Sequence, residues 1–319
     1  MAKINICVVG IGNWGINHVK TLLKLKVNVG CVEIEPKKLD IIKSTFPEIK
    51  CHMSIDSSFK KDYQGYIIST SPDSHVDIAK LLISNQKVVL VEKPLSLSLL
   101  EAQELKSHLI KFKGKLIVGH LLLFHPAIKK IKSLIDSDKI GKIQYIYSNR
   151  LNLGRLRNKE NVLWSFTPHD ISVFQYLLSS FPCDVSSVGS KFLQKNIHDI
   201  VITHLKYPNG AEGHIHTSWL NPFKEHKLVV IGSKGSIVFE DNEEMHLLLY
   251  KRGDFLESKP PILKNKAIKK IKYNNELPLE NELKYFLDIV NGKSVKIGNI
   301  DDGIDVVSIL EIASKSLKN

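Results

Sequence analysis

Cysteine and arginine are both scarce in this chain of 319 residues, with four of each, and no stretch stays apolar for long. Cys7, Cys31, Cys51 and Cys183 are widely spaced, with no Cys-x-x-Cys pair and no thiol beside a histidine at metal-ligand spacing. That pattern excludes a disulfide framework and the common zinc motifs, and the thiols read as reduced and structural. No apolar run approaches the roughly 20 residues that a membrane span needs. The N-terminal apolar segment leads into a glycine turn and not a small-residue cleavage site. The expectation is a cytoplasmic protein with no membrane partner.

Acidic residues are in deficit, 33 against 45 basic ones, for a formal charge of +12. The surplus lysines are spread over most of the chain, so no nucleic-acid surface is expected. The densest stretch, residues 259–272, has aromatic company only in Tyr273 at its end and carries Pro260 and Pro261, so it reads as a surface loop between strands. Steering of an anionic substrate is the more economical use of the charge. Arg150, Arg155 and Arg157 fall within eight residues of a sequence that otherwise uses lysine. A guanidinium grips phosphate or carboxylate through a planar fork that lysine lacks, so the cluster is a candidate substrate contact. The plainer reading is chance clustering on a solvated strand and loop.

Short β-branched runs alternate with helical patterns at the start of the chain. Strands are expected at 4–9, 27–32, 66–68, 88–91 and 116–118, with helices after the first glycine turn, from about 36, from Asp73 or Ser74, and over about 98–112. Each parallel crossover needs a helix to return the chain, so this alternation predicts an α/β Rossmann domain with a parallel sheet over 1–121. After His120 the rhythm changes. A helix at about 126–135 and a strand at 142–147 precede two hairpins, one through Asn209 and Gly210, the other joining 227–231 to 236–239. Residues 122–319 therefore read as an α+β domain with a largely antiparallel sheet. Helices at about 279–290 and 303–317 close it, the last placed to pack back on the first domain.

The run Gly10-Ile11-Gly12-Asn13-Trp14-Gly15 satisfies the dinucleotide pattern in its required setting, after a first strand and at the mouth of a helix. Gly10 permits the tight turn, Gly12 lets backbone N–H groups approach a pyrophosphate, and Gly15 allows close helix–strand packing. Glu33 ends the second strand about 20 residues on, where a carboxylate binds ribose hydroxyls and repels a 2′-phosphate. NAD is thus expected over NADP. Further loops leave the carboxyl ends of parallel strands, where such sheets bind ligands: Thr70, Pro72 and His75 in one, Glu92-Lys93-Pro94 in another. Lys93, between a buried strand and a proline, is the sharpest catalytic candidate; otherwise it is a charge capping a strand end.

These segments, with Val118-Gly119-His120 leading to Phe124-His125-Pro126 and the closing segment 278–286, resemble the glucose-fructose oxidoreductase, inositol dehydrogenase and rhizopine-catabolism (Gfo/Idh/MocA) family over nearly the whole chain. The resemblance implies an open C-terminal sheet that makes homodimer or homotetramer contacts. It implies Lys93 and His169 as the catalytic residues. It also adds Ile11, Asn13, Trp14 and Glu92 to the cofactor-binding set, and Ser165 and Asp170 beside His120 and the three arginines to the substrate-binding set. One departure stands out: the family usually carries aspartate four residues before that histidine, where this chain has Ser165. Pro168, His169 and Asp170 otherwise read as a helix start.

The expected reaction is hydride transfer between NAD and a hydroxyl-bearing carbon of a sugar, a nucleotide sugar or sugar acid of surface-polysaccharide biosynthesis. Histidine, with an ordinary pKa of about 6.5, suits the proton transfer at His169, while Lys93 orients the hydroxyl. The alternative is a non-catalytic dinucleotide-binding or regulatory protein of the same fold. His204, His214 and His216, with Asp199 nearby, lack a convincing complete ligand set, so no metal is expected.

Overall fold

Buried β-branched runs and amphipathic helices build the first part of the chain as their alternation predicts. The computed structural model describes residues 4–154, 157, 160–242, 244–256 and 262–317, which fall into two compact units. The first comprises residues 1–124 and 277–307 of the chain, the second residues 125–276 and 308–319.

In the first unit the order is β1 (Asn5–Val9), α1 (Gly15–Lys24), β2 (Asn28–Val32), α2 (Pro36–Thr45), β3 (Lys50–His52), α3 (Ile55–Ser58), β4 (Gly65–Ile68), α4 (His75–Ser84), β5 (Val88–Glu92), α5 (Leu99–Lys111) and β6 (Lys115–Gly119). The six strands are all parallel, in the order β3-β2-β1-β4-β5-β6. Strand order reverses between β1 and β4, the switch point where open α/β sheets bind ligands. Two later helices follow the second unit's strands in sequence, named α8 (Pro278–Val290) and α9 (Ile300–Ser316) in chain order. Leu283, Phe286 and Ile289 of α8 are fully buried in one cluster with Ile6, Val8, Ile67 and Leu90 of the sheet and Val19 and Leu22 of α1. A buried side chain such as Phe286 contributes about 1.5–3 kcal/mol, which explains why this distant segment joins the first unit.

The second unit contains α6 (Pro126–Asp136), β7 (Ile143–Leu153), α7 (Val162–Leu178), β8 (Asp184–Ser190), β9 (Ile200–Lys206), β10 (Glu212–Ser218), β11 (Leu220–Gly232), β12 (Gly235–Glu240), β13 (His246–Leu256) and β14 (Ile262–Lys272). Its eight strands run β14-β13-β12-β11-β7-β10-β9-β8, antiparallel throughout except for the β7–β10 pair. Alternation along β9 and β10 buries Val201, Thr203, Leu205, Ile215 and Thr217 on the face packed by α7. On the other face Tyr145 Oη meets His214 Nδ1 at 2.8 Å, Tyr147 stacks on the same imidazole, and His204 pairs with Glu212 at 3.1 Å.

Two expectations need correction. The lysine-rich stretch read as a loop is in part a strand: residues 262–272 form β14, the outer strand of the sheet, where lysine discourages pairing with other chains. Nor does a helix start at Pro168. Helix α7 begins at Val162, where the Asn161 side chain accepts the Trp164 N–H at 3.1 Å, so Pro168 and His169 lie inside it. Among the described residues no helix is long and apolar enough to cross a membrane, and no group of three or more His, Cys, Asp or Glu side chains is arranged to hold a metal ion.

Candidate active site

The glycine turn is built by the strand it leaves. Gly10 has φ +85°, a conformation that favours glycine, and its N–H donates to the Val32 carbonyl at 2.9 Å. A Cβ at Gly15 would run into the Gly10 carbonyl oxygen, so α1 packs against the turn only because that position is glycine. Gly12, by contrast, faces open space, as backbone that a ligand approaches must. Ser69 Oγ donates to the Gly10 carbonyl at 2.7 Å and ties the β4 loop to the turn.

Glu33 is buried at the end of β2. One carboxylate oxygen accepts the Ile11 N–H at 2.9 Å and the other the Glu35 N–H at 3.1 Å. The carboxylate is thereby fixed in direction while each oxygen keeps lone pairs for ribose hydroxyls. It lines a cleft of about 1020 Å³ together with Gly10, Gly12, Met53, Thr70 and Ser71. A cleft of that size, with an open glycine turn and a directed carboxylate, fits the adenosine half of a dinucleotide, and the carboxylate opposes a 2′-phosphate. Asn13 and Trp14 are exposed at the start of α1, whose N-terminal amides carry no side-chain cap.

The Thr70 and Lys93 loops are joined by His75. Its Nδ1 lies 2.9 Å from the Pro94 carbonyl and its Nε2 3.2 Å from the Thr70 carbonyl. Burial lowers its pKa, with the two backbone carbonyls working in the other direction. Pro72 opens the turn that leads into α4, and Thr70 Oγ1 lies 2.7 Å from Ser74 Oγ. The Lys93–Pro94 peptide is cis.

Glu92 closes β5 and is the centre of a buried polar cluster. Oε1 accepts from Trp14 Nε1 and from His18 Nε2, the latter at 2.7 Å, and Oε2 accepts the Lys93 N–H at 3.2 Å. Burial works against its charge, but His18, Lys93 and Trp14 outweigh it and hold the carboxyl below the usual range. Nearby, His120 is 1 % exposed with neither ring nitrogen hydrogen-bonded, and burial pushes its pKa down to about 4. Glu282 of α8 is equally buried with both oxygens unpartnered; burial, and then the charge of Glu92, push its pKa well above the ordinary value. Sequence reasoning missed His18 and Glu282. The signals were there: His18 follows Trp14 by four positions on α1, and Glu282 falls on the buried face of an amphipathic helix.

In the second unit, Ser165 and His169 are one turn apart on α7, and Ser165 is buried. Asp170 does not join them in an open cluster; it binds Arg150 of β7, Oδ2 to Nε at 2.6 Å and Oδ1 to Nη2 at 3.0 Å. Arg157 lies on the following loop, 3.5 Å from Glu160 and half exposed. Arg155 falls outside the described residues. Among the described residues, Arg150 and Arg157 are thus engaged by different carboxylates, Asp170 and Glu160. Asp199 is occupied as well, accepting from the Phe192 and Leu193 N–H groups and from Trp219 Nε1.

Comparison with known proteins agrees with this geometry. Residues 4–120 match a family described as oxidoreductase, NAD-binding Rossmann fold, and residues 128–238 match the GFO/IDH/MocA C-terminal domain. The chain is 25 % identical to the scyllo-inositol 2-dehydrogenase (NAD(+)) of Bacillus subtilis strain 168, covering 95 % of this chain and 91 % of that one. Its fold is similar to that of UDP-N-acetylglucosamine 3-dehydrogenase GnnA from Acidithiobacillus ferrooxidans (TM-score 0.86, 18 % identity, 100 % of this chain and 99 % of that chain). It is also similar to an oxidoreductase from Agrobacterium radiobacter in complex with NAD+, L-tartaric acid and magnesium (TM-score 0.82, 14 % identity, 100 % and 97 %).

Proposed function

The chain belongs to the GFO/IDH/MocA oxidoreductase family, and from that premise we propose that it is an NAD-dependent dehydrogenase or reductase of a sugar hydroxyl, with a nucleotide sugar or sugar acid as substrate. The observation that carries this reading is the Glu92 clamp, which fastens the Lys93 loop to the helix of the glycine turn. A lysine so placed belongs beside the reactive end of a dinucleotide bound along that turn.

Bound NAD supplies the hydride acceptor or donor at its nicotinamide ring. Glu33 would hold the adenosine ribose hydroxyls. Lys93 would orient the substrate hydroxyl and stabilise its developing negative charge, and His169 would exchange the hydroxyl proton. Ser165, one turn before His169, offers a hydroxyl but no charge. The surplus of basic residues supports an anionic substituent on the sugar, whereas the fork of Arg150 is engaged by Asp170. The outward sheet face around Tyr147 and His214 would serve homo-oligomer contacts.

The test is direct. NAD+ should raise the melting temperature, equivalent to about 2.7 kcal/mol at a hundredfold excess over Kd. A nucleotide-sugar, sugar-acid and inositol panel should then give a substrate-dependent absorbance change of the reduced cofactor. If neither NAD+ nor NADP+ shifts the melting temperature at saturation, the reading is wrong. Ser165 favours the second reading, a dinucleotide-binding protein without turnover, which predicts the thermal shift and no absorbance change on any substrate.

A further inference from the structure

Three of the four cysteines lie in the first unit, on neighbouring parallel strands. Cys31 of β2 and Cys51 of β3 are register partners, so their side chains leave the same face of the sheet side by side. Cys31 Sγ donates to Cys51 Sγ at 3.4 Å, and Cys51 Sγ donates to the Ile49 carbonyl at 3.8 Å. Cys7 stands apart from this pair: it is the register partner of Gly30, and successive residues of a strand face opposite sides. Cys31 is fully buried and Cys51 only partly, so solvent reaches the pair from Cys51.

Paired strands lie about 4.7–4.9 Å apart, inside the Cα–Cα range of about 4.4–6.8 Å that a disulfide spans. Closing the sulfurs from 3.4 Å to a bond of about 2.05 Å draws them together by about 1.4 Å. That movement falls on β3, an outer strand of three residues, because β2 is paired on both sides. Its effect reaches the cleft of the glycine turn. Cys31 lies two residues before Glu33, whose N–H donates to the His52 carbonyl at 3.1 Å, and Cys51 lies two before Met53. Glu33, Met53, Ser54 and Ile55 all line that cleft.

We propose that Cys31 and Cys51 form an oxidative modification site: a hydroperoxide joins them in a disulfide, and the joined pair weakens the hold of the adjoining cleft on NAD. The second clause rests on the reading of that cleft as the dinucleotide site. Burial, and then the hydrogen bond to Cys51, push the Cys31 thiol pKa up, so Cys51 is the sulfur that reacts first. As its thiolate, Cys51 attacks one peroxide oxygen; the O–O bond breaks, the leaving hydroxide takes up a proton as water, and Cys51 becomes a sulfenic acid. Cys31 Sγ then attacks that sulfur, the S–O bond breaks, and the Cys31 proton leaves with the hydroxide as a second water. The two thiols give up two electrons, which reduce one peroxide.

The test uses the full chain, freed of reductant and treated with hydrogen peroxide, first without cofactor. Tryptic digestion without reduction places Cys31 in residues 27–37 and Cys51 in residues 51–60. These peptides should run as one species, lighter than their sum by two hydrogens, and separate on reduction. The Kd for NAD+, measured by calorimetry, should rise about tenfold in the oxidised protein and return with dithiothreitol, a coupling of the usual size between two sites. Coupling is reciprocal, so saturating NAD+ should raise the midpoint potential of the pair by about 30 mV for that tenfold. Cys51→Ala and Cys31→Ala should each bind NAD+ with an affinity that peroxide leaves unchanged.

If residues 27–37 and 51–60 stay unlinked when peroxide has consumed the exposed thiol of Cys183, the site is overturned. Linked peptides with an unchanged Kd overturn its action on the cleft. So does a peroxide effect that survives in Cys51→Ala, which would belong to oxidation of Met53. Because the linkage is read without cofactor, the two failures are distinct: a wild type that binds no dinucleotide sinks the functional reading, and unlinked peptides sink the thiol pair.

Discussion

Arg150 and Asp170 face each other as a two-point fork between β7 and α7, with Nε to Oδ2 at 2.6 Å and Nη2 to Oδ1 at 3.0 Å. Both side chains are largely buried, 13 % and 6 % exposed. A pair of this kind contributes little net stability, yet removing one partner strands the other charge in the interior. Asp170→Ala should therefore cost about 3–5 kcal/mol in urea denaturation. The joint replacement Arg150→Met with Asp170→Leu should cost far less than the sum of the single changes. Additive losses would show that the two residues act independently and that Arg150 has another partner.

Glu33 gives a prediction about cofactor choice. Its carboxylate is already directed by the Ile11 and Glu35 N–H groups, so a substitution changes charge at a fixed point. Glu33→Ser should weaken NAD+ and relieve the repulsion of NADP+. Hydrogen bonds to a charged group are worth about 1.5–3 kcal/mol, so the preference measured as a ratio of Kd values by calorimetry should fall by about one to two orders of magnitude. An unchanged ratio would remove Glu33 from the ribose site.

Lys93→Ala should abolish measurable turnover while leaving NAD+ binding within a few-fold of wild type. Removing one group that stabilises developing charge typically lowers kcat by about 10²–10³. Stopped-flow measurement of the chemical step, alongside a fluorescence titration with NAD+, separates the two quantities. Unchanged turnover would withdraw the catalytic assignment.

How much of this could be read in advance follows from the range of the interactions. The glycine turn, Glu33 and Lys93 were legible because each is set by its own strand end: a tight turn needs Gly10 whatever lies around it, and Lys93 is placed by the strand before it and the proline after it. The hairpin at Gly210, with φ +82°, is local in the same way. Strand β3 escaped because three residues, Lys50 to His52, are too few to show a period. The start of α7 was misplaced because Pro168 looks like a first-turn residue, while the real start depends on the Asn161 cap. Partnerships across the sequence were invisible: Arg150 with Asp170 spans 20 positions, and His18 with Glu92 spans 74. Composition marks such residues as polar but says nothing of what they meet.

His120 and Glu282 give the fold a pH dependence of two opposite signs. For His120 the folded pKa of about 4 is below the unfolded 6.5, so between these values the unfolded chain binds more protons and stability falls as the pH falls. The loss from this residue is on the order of 3 kcal/mol across that window. Glu282 has a raised folded pKa, so the stability it contributes is fully present below pH 4.5 and is lost as the pH rises through the folded value. Above pH 4.5, for as long as both groups titrate, the two slopes oppose each other and partly cancel. Single variants separate them. His120→Leu should lose the acid-side decline, so that its stability relative to wild type grows from pH 7 to pH 4, whereas Glu282→Gln should gain relative to wild type as the pH rises above about 4.5. Urea midpoints at half-unit pH steps supply both curves, and an NMR titration of the His120 ring checks the assignment. Parallel curves for His120→Leu and wild type would mean that His120 titrates alike folded and unfolded.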